Sequence, residues 1–271
     1  MRAVLTGIAI CVGIYLLLLF LVYVLQRQFL YFPDQSVPPR SHLDTMGITT
    51  VEVRSGLDAV LQSLWIAPKA SDSPVLLFLH GKAGSHFDRI PVYQALAREG
   101  AAVLGVGYPG YGGNSGAPNE AELYEAAQIN YDWLIQKGIH AQQIIIIGES
   151  LGSGVAAHLA SQNEAAGLIM IAAHSGIDEM AQRQFPARWL VKDRYPSLEH
   201  IDHINMPLFW IHGTNDKLIP FAVGQRLFDA AREPKAAFPI KNGGHNDLWN
   251  RGIDGIIRKI SVRLARSASP T

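Results

Sequence analysis

The pentapeptide GESLG at 148–152 has the residues and spacing of a nucleophilic serine, the pattern G-x-S-x-G centred on Ser150. The apolar run 144–147 before it predicts a buried strand, and the amphipathic run 151–161 after it predicts a helix. A sharp strand-to-helix turn holds such a serine in a strained conformation, and flanking glycines remove Cβ clashes. The alternative is an ordinary glycine-rich turn, but the strand–turn–helix context favours a nucleophile.

A serine hydroxyl needs a general base, and the base needs an acid that orients it. After a turn of this kind the acid and the histidine are expected in that order along the chain. Asp216 follows the apolar run 207–213, and His245 lies in a glycine-rich loop after the strand-like run 236–240. Taken alone, these residues could be a turn aspartate and a surface-loop histidine. Because carboxyl ends of parallel strands share one sheet edge, we expect both side chains to converge with Ser150.

The oxyanion that forms when a carbonyl is attacked needs hydrogen-bond donors. One donor is expected to be the backbone N–H of Leu151, the residue after the nucleophile. The other should come from the loop 80–84, after the apolar run 75–79, and we choose the N–H of Lys82. This chemistry uses protein groups alone, so we predict no cofactor and no metal.

Other titratable side chains fit these roles less well. Asp178 and Asp247 are weaker candidates for the acid, because neither follows a strand at the expected place. His80 could serve as a base, but a role in shaping its loop is the better interpretation. His200 and His203 have the spacing of metal ligands, yet they lie in a polar segment without a carboxylate cluster, which favours a solvated surface.

Short apolar runs alternate with amphipathic segments through most of the chain. The apolar runs are 75–80, 101–108, 143–148, 167–173 and 207–213, and the amphipathic segments are 89–99, 120–137 and 151–161. Apolar strands separated by helices predict a parallel sheet covered on both faces. The alternating runs 49–53 and 60–66 predict an antiparallel hairpin that turns at 55–58. A final helix is predicted at 246–266 from its apolar spacing.

The N-terminal segment 3–25 contains no charged residue. A helix of this length spans about 35 Å, enough to cross a hydrocarbon core of about 30 Å. A cleaved signal peptide has a shorter apolar region followed by small residues, and a lipoprotein at Cys11 lacks the usual upstream length. We therefore predict a single-pass membrane anchor. The flanking charges, Arg2 against Arg27 and Arg40, nearly balance, with a slight preference for a catalytic domain outside.

Composition excludes several classes of protein. The 271 residues are 48% hydrophobic, and 23 basic residues balance 23 acidic ones. This composition excludes intrinsic disorder and argues against nucleic acid as a partner. Cys11 is the single cysteine, so neither an intramolecular disulfide nor a cysteine zinc site can form. No obligate protein partner is evident.

We divide the chain into an anchor (1–25), a linker (26–45) and a catalytic domain (46–271), and expect a chain beginning near Gln35 to remain soluble and active.

The motifs resemble one branch of the α/β-hydrolase superfamily. This branch is N-terminally anchored and includes fungal cell-polarity hydrolases, their bacterial relatives and animal protein-depalmitoylating serine hydrolases. The blocks that carry the resemblance are LYFPD, HGKAGSHFDR, YPGYGGNSGAPNEAELYEAA, GESLGSGVAAHLA, SLEHIDHINMPLFWIHGTNDKLIPFAVGQRLFDAA and GGHNDLW. They extend over about residues 26–260.

The resemblance implies an α/β-hydrolase fold, with a mostly parallel eight-stranded sheet and helices on both faces. It also implies that Ser150 is the nucleophile, Asp216 the acid and His245 the base. Lys82 departs from the asparagine usual in the family, but the role assigned to it uses only its backbone N–H. The short insertion 176–206 implies a small cap, in which Phe185, Pro186, Trp189 and Tyr195 could form an apolar wall over the cleft or simply pack the domain.

These features predict a membrane-anchored serine hydrolase that cleaves an ester or thioester of a small or lipid-like acyl group through an acyl-enzyme. Two alternatives remain open. A serine peptidase of the prolyl-aminopeptidase type uses the same fold and needs an anionic site for the substrate's amino terminus, for which Glu149 is the obvious candidate. A catalytically silent membrane adaptor could keep the fold, but it has no need of all three catalytic residues.

Overall fold

The computed structural model describes residues 1–54, 60–182 and 188–268. Its helices are α1 (Arg2–Leu30), α2 (Arg40–Thr45), α3 (Ile90–Ala97), α4 (Glu120–Gln136), α5 (Leu151–Gln162), α6 (Ile177–Gln182), α7 (Ser197–Ile201), α8 (Phe221–Ala230) and α9 (Ile253–Ala268). Its strands are β1 (Phe32–Pro33), β2 (Thr49–Arg54), β3 (Val60–Ile66), β4 (Val75–Leu79), β5 (Ala83–Gly84), β6 (Ala102–Gly105), β7 (Ile144–Glu149), β8 (Gly167–Ile171), β9 (Leu208–Gly213) and β10 (Lys235–Ile240).

Within the described ranges, the main sheet has eight strands in the order β10-β9-β8-β7-β4-β6-β3-β2. β3 runs antiparallel to both of its neighbours, β2 and β6, and the remaining pairs are parallel. The predicted mostly parallel sheet and the antiparallel pairing of β2 with β3 are therefore confirmed. The turn expected at 55–58 lies outside the described residues. β1 and β5 form a separate parallel pair.

The two faces of the sheet bury two apolar clusters. In β4, Leu77 and Leu79 face the cluster that includes α4 and α5, whereas Leu76 and Phe78 face the cluster that includes α3 and α9. The isoleucines of β7 alternate between the same clusters. Side chains alternate between the faces of a strand, so a strand covered on both sides must be apolar at every position. This burial explains why the strand runs in the sequence are continuous.

The stretch 26–45 was expected to be a linker, and the structure differs. α1 continues past residue 25 to Leu30, and β1 and α2 follow it. Tyr31 is 4% exposed, and its hydroxyl lies 2.8 Å from that of Tyr195. Leu43 is also buried. These apolar side chains are removed from water by packing on the domain, so much of this stretch belongs to the folded domain.

The insertion 176–206 contains α6, a 3₁₀ turn at Arg188–Leu190 and α7. Tyr195 is fully buried against Tyr31, so it packs the domain and does not line a cleft. Trp189 is 79% exposed. Phe185 and Pro186 lie outside the described residues. Four residues were considered either for an apolar wall over the cleft or for packing of the domain. For Tyr195 the structure shows the packing role.

Moving the start of the chain tests where the domain begins. A chain beginning at Gln26 keeps Tyr31 and β1, whereas one beginning at Gln35 loses both. Loss of a buried aromatic side chain typically lowers the free energy of unfolding by about 3–5 kcal/mol. We therefore expect the Gln35 form to unfold at a clearly lower urea concentration than the Gln26 form. Equal urea midpoints would restore the interpretation of 26–45 as a linker.

Candidate active site

Ser150 occupies the turn between β7 and α5, with φ 53° and ψ −118°. This positive φ is uncommon for a residue with a side chain and marks local strain. A Cβ on Gly148 would lie 2.6 Å from the Cβ of Ala156, and a Cβ on Gly152 would overlap the carbonyl oxygen of Leu79. Both glycines are therefore required for the close approach of β7, α5 and β4. The predicted turn is present, and it carries Ser150 at the carboxyl end of β7.

The side chains of Ser150, His245 and Asp216 form a continuous hydrogen-bonded line. Ser150 Oγ lies 2.9 Å from His245 Nε2, and His245 Nδ1 lies 2.7 Å from Asp216 Oδ2. An ionised carboxylate only accepts, so Nδ1 carries a proton and donates a hydrogen bond to Asp216. In the neutral ring Nε2 is then an acceptor for the serine hydroxyl. The structure thus brings together the three residues selected from the sequence, in the order that base catalysis requires.

The Asp216 carboxylate accepts hydrogen bonds through both of its oxygens. Its Oδ1 accepts the backbone N–H groups of Leu218, at 2.9 Å, and Ile219, at 2.8 Å. Burial raises the pKa of Asp216, but hydrogen bonds from His245 and the Ile219 N–H outweigh burial and hold that pKa below its ordinary value. Asp216 is therefore ionised at neutral pH and oriented toward His245. His212 is buried beside it, and its Nε2 donates to the Ile219 carbonyl oxygen, 2.9 Å away.

The loop after β4 packs directly on the serine turn. A Cβ on Gly81 would lie 3.3 Å from the Cβ of Ser150, so the loop backbone is close to the hydroxyl. Lys82 lines the same cleft as Ser150 and His245. Leu151 begins α5, and the first N–H groups of a helix have no acceptor within it. Both residues chosen as oxyanion donors therefore flank Ser150.

Ser150 and His245 open into a cleft of about 390 Å³. Apolar side chains on its walls include Val92, Ile171, Leu218 and Trp249. The lining also includes the charged residues Asp88, Arg89 and Glu149, so the cleft combines apolar walls for an organic or acyl group with several polar contacts. The size and lining therefore fit a ligand that presents a carbonyl carbon to the serine.

Glu149, next to the serine, is hydrogen-bonded through both of its carboxylate oxygens. Its Oε2 accepts from Arg89 Nε at 2.9 Å, and its Oε1 accepts from Trp249 Nε1 at 2.6 Å. The Glu149 side chain is only 15% exposed. The charge of Glu149 is therefore already paired with that of Arg89 before any external ammonium group binds. No sequence pattern indicated this Arg89–Glu149–Trp249 contact, because the three residues are far apart along the chain.

The weaker candidates for acid and base lie apart from the hydrogen-bonded line. Asp247 accepts from the Gly244 N–H at 2.7 Å and from Arg251 Nε at 2.7 Å, within the histidine loop. Asp178 is buried in an ion pair with Arg194. His80 is fully buried, its Nδ1 lies 2.8 Å from the Gly81 carbonyl oxygen, and burial holds its pKa well below the ordinary value. His80 thus stays neutral and shapes the loop.

His200, one of the two histidines with metal-like spacing, lies in an aromatic cluster. The rings of Tyr124 and His158 stack with centroids 3.7 Å apart, and the His200 ring meets His158 edge-on at 4.9 Å. Burial lowers the pKa of His158 to about 4. Among the described residues, no group of three or more histidine, cysteine, aspartate or glutamate side chains could hold a metal ion.

Comparison with known proteins agrees with this architecture. Residues 74–200 match the family described as alpha/beta hydrolase fold. An uncharacterised protein of Mycobacterium tuberculosis is 34% identical over 230 residues, covering 82% of this chain and 81% of that protein. Alpha/beta hydrolase domain-containing protein 17B of Homo sapiens is 33% identical over 197 residues, covering 70% of this chain and 67% of that protein.

Solved structures share the fold at low sequence identity. An esterase of Pyrococcus furiosus has a TM-score of 0.67 at 18% identity, covering 87% of this chain and 97% of its own. An α/β-hydrolase of Vibrio vulnificus has a TM-score of 0.69 at 21% identity, covering 82% of this chain and 87% of its own. The chain belongs to the α/β-hydrolase superfamily, which confirms the resemblance inferred from its motifs. Its fold and relatives support a serine hydrolase-type function.

Proposed function

We propose that this protein is a serine hydrolase that cleaves carboxylic esters or thioesters through an acyl-enzyme on Ser150. The observation that carries this proposal is the hydrogen-bonded line from Ser150 Oγ through His245 to Asp216. It supplies a nucleophile, a base within reach of the hydroxyl proton and an acid that orients the base. The apolar walls of the cleft beside it, which include Val92, Leu218 and Trp249, support an acyl substrate.

In this mechanism Ser150 Oγ attacks the substrate carbonyl carbon while His245 Nε2 takes the hydroxyl proton. The N–H groups of Leu151 and Lys82 stabilise the oxyanion of the tetrahedral intermediate. The intermediate collapses as the C–O or C–S bond breaks, and His245 returns the proton to the leaving group. Water then attacks the acyl-enzyme with His245 again as the base, which releases the acid and restores Ser150. Asp216 stays ionised throughout.

The environment of Glu149 weighs against a prolyl-aminopeptidase type of activity. Such an enzyme needs a free anionic group near the nucleophile to bind the amino terminus of its substrate. Glu149 instead accepts from Arg89 and Trp249, so its charge and both oxygens are already engaged. A silent adaptor is disfavoured on separate grounds, because it would not need Ser150 strained at φ 53° beside an oriented histidine.

A matched panel of substrates tests the bond that is cleaved. We expect full-length protein to hydrolyse p-nitrophenyl acyl esters and acyl thioesters, and to become labelled by a fluorophosphonate. Proline p-nitroanilide, which has a free amino terminus, should be cleaved at least about 10²-fold more slowly, since the Glu149 carboxylate beside Ser150 is already paired with Arg89. Faster cleavage of the anilide would favour the peptidase, and failure of all four assays would favour the adaptor.

We also propose that α1 anchors the protein in a membrane. In the part of the chain that the structure describes, α1 is the helix that is long and apolar enough to cross a bilayer, with a mean hydropathy of 2.9 over its most apolar window. The end of α1 is joined to the domain, because Arg27 pairs with Asp193 at 2.8 Å and Gln26 donates to the Leu190 carbonyl oxygen. These contacts favour a retained helix over a cleaved signal peptide.

Extraction from membranes tests this anchor. A spanning helix is held by apolar burial and not by charge, so full-length protein should resist high salt and carbonate and dissolve only in detergent. The chain beginning at Gln26 serves as the control and should be released without detergent. Release of the full-length protein by carbonate with its N-terminus removed would instead show a processed signal peptide.

A further inference from the structure

The segment that follows α1 forms backbone hydrogen bonds with the loop chosen to supply the oxyanion donor. β1 pairs in parallel register with β5, which matches Phe32 with Ala83 and Pro33 with Gly84. The Phe32 N–H donates to the Lys82 carbonyl oxygen at 2.9 Å, and the Asp34 N–H donates to the Gly84 carbonyl oxygen at 3.0 Å. Residues 31–34 therefore run along the loop and bind it on both sides of Ala83.

Two side chains donate further hydrogen bonds to the same loop. The Tyr111 hydroxyl donates to the Lys82 carbonyl oxygen at 2.8 Å, so that oxygen has two donors. The Gly81 carbonyl oxygen accepts from His80 Nδ1 at 2.8 Å. The peptide groups before and after Lys82 are thus each held through their carbonyl oxygens. With both peptide planes restrained, the direction of the Lys82 N–H is set before any substrate binds.

β1 is itself tied to the domain. The Asp34 carbonyl oxygen accepts the Gly112 N–H at 2.7 Å, and the Tyr31 hydroxyl meets that of Tyr195 at 2.8 Å. The Lys82 ammonium lies 5.1 Å from the centre of the Phe32 ring, a distance typical of a cation–π contact. Rigid support of this kind distinguishes a positioning contact from a chance pairing of two flexible segments.

We propose that Phe32 and Tyr111 are positioning residues for catalysis, because they aim the Lys82 N–H at the site of the developing oxyanion. The inference rests on the proposed hydrolase function. A donor lowers the barrier only when it is oriented in advance, and a displacement of about 1 Å can cost about 10²-fold in rate. The strand next to the membrane helix is accordingly part of the catalytic apparatus as well as of the fold.

Tyr111→Phe in the full-length protein in detergent is the decisive variant, because it removes one hydroxyl and leaves the ring in place. We expect kcat to fall about 10-fold with KM unchanged. The matched control is Tyr131→Phe, which removes a hydroxyl that donates to the Glu164 carbonyl oxygen at 2.7 Å. Glu164 precedes β8, at the sheet edge opposite Ser150, so this control should keep the wild-type rate.

Two readouts separate positioning from general loss of structure. Fluorophosphonate titration counts the active sites, and Tyr111→Phe should keep their number while the rate at each site falls. The affinity for a trifluoromethyl ketone, which mimics the tetrahedral intermediate, should weaken in proportion to kcat/KM. Phe32→Pro, which removes the N–H to Lys82, should lower kcat more strongly, by about 10²-fold. If Phe32→Pro does not fold, Tyr111→Phe decides alone.

The inference fails if the wild type shows Ser150-dependent hydrolysis but Tyr111→Phe matches Tyr131→Phe in kcat and in ketone affinity. It also fails if Tyr111→Phe merely reduces the number of titratable sites at an unchanged rate per site. An absence of Ser150-dependent hydrolysis in the wild type is a different result, which overturns the proposed function and the inference with it.

Discussion

Ser150→Ala is expected to lower kcat on a reactive acyl ester by about 10⁴–10⁶-fold and to abolish fluorophosphonate labelling. The variant removes the oxygen that lies 2.9 Å from His245 Nε2 and leaves the base with no nucleophile to activate. The fold should persist, because alanine keeps the Cβ of serine and therefore adds no new steric clash at the positive φ of this turn.

Ser161→Ala is the matched control for this loss. Ser161 lies in the same helix, α5, and its hydroxyl donates to the His158 carbonyl oxygen at 2.7 Å, away from the cleft. The control should keep wild-type labelling and turnover, and far-ultraviolet circular dichroism should be the same for both variants. If Ser150→Ala keeps more than a few per cent of wild-type turnover, another residue is the nucleophile.

Asp216→Asn is expected to lower kcat by about 10⁴-fold with little change in structure. The asparagine oxygen can still accept from the Leu218 and Ile219 N–H groups, so its amide N–H₂ would face His245 Nδ1. The imidazole then has to present an acceptor at Nδ1 and a proton at Nε2. In that tautomer it cannot take the proton of Ser150.

Asp247→Asn distinguishes the acid from a neighbouring carboxylate of the same loop. Asp247 accepts from Gly244 N–H and Arg251 Nε and makes no contact with the His245 ring among the hydrogen bonds of the described residues. Its replacement should lower kcat less than about tenfold, because only loop support is lost. The reverse ranking of the two variants in kcat would assign the orienting acid to Asp247.

Local patterns were sufficient for the elements that carry the site. The continuous apolar runs of β4, β7, β8 and β9 indicate burial on both faces, and each run can be recognised from its own stretch of sequence. The Ser150 turn is likewise local, since its two glycines lie within two residues of the serine. The order of strands and helices then brings Asp216 and His245 to the edge where Ser150 lies.

Contacts between segments that are distant along the chain could not be recognised from any local sequence pattern. The stretch 26–45 was interpreted as a linker because it is polar and contains prolines, yet Tyr31 is buried beside Tyr195 and β1 pairs with β5. The contact of Glu149 with Arg89 and Trp249 was hidden for the same reason. A pairing of this kind depends on where the whole chain places both partners, so neither periodicity nor a short motif records it. The chemistry of the site could therefore be inferred from residue types and strand order, whereas the support of the Lys82 loop by the strand after α1 emerged from the folded chain.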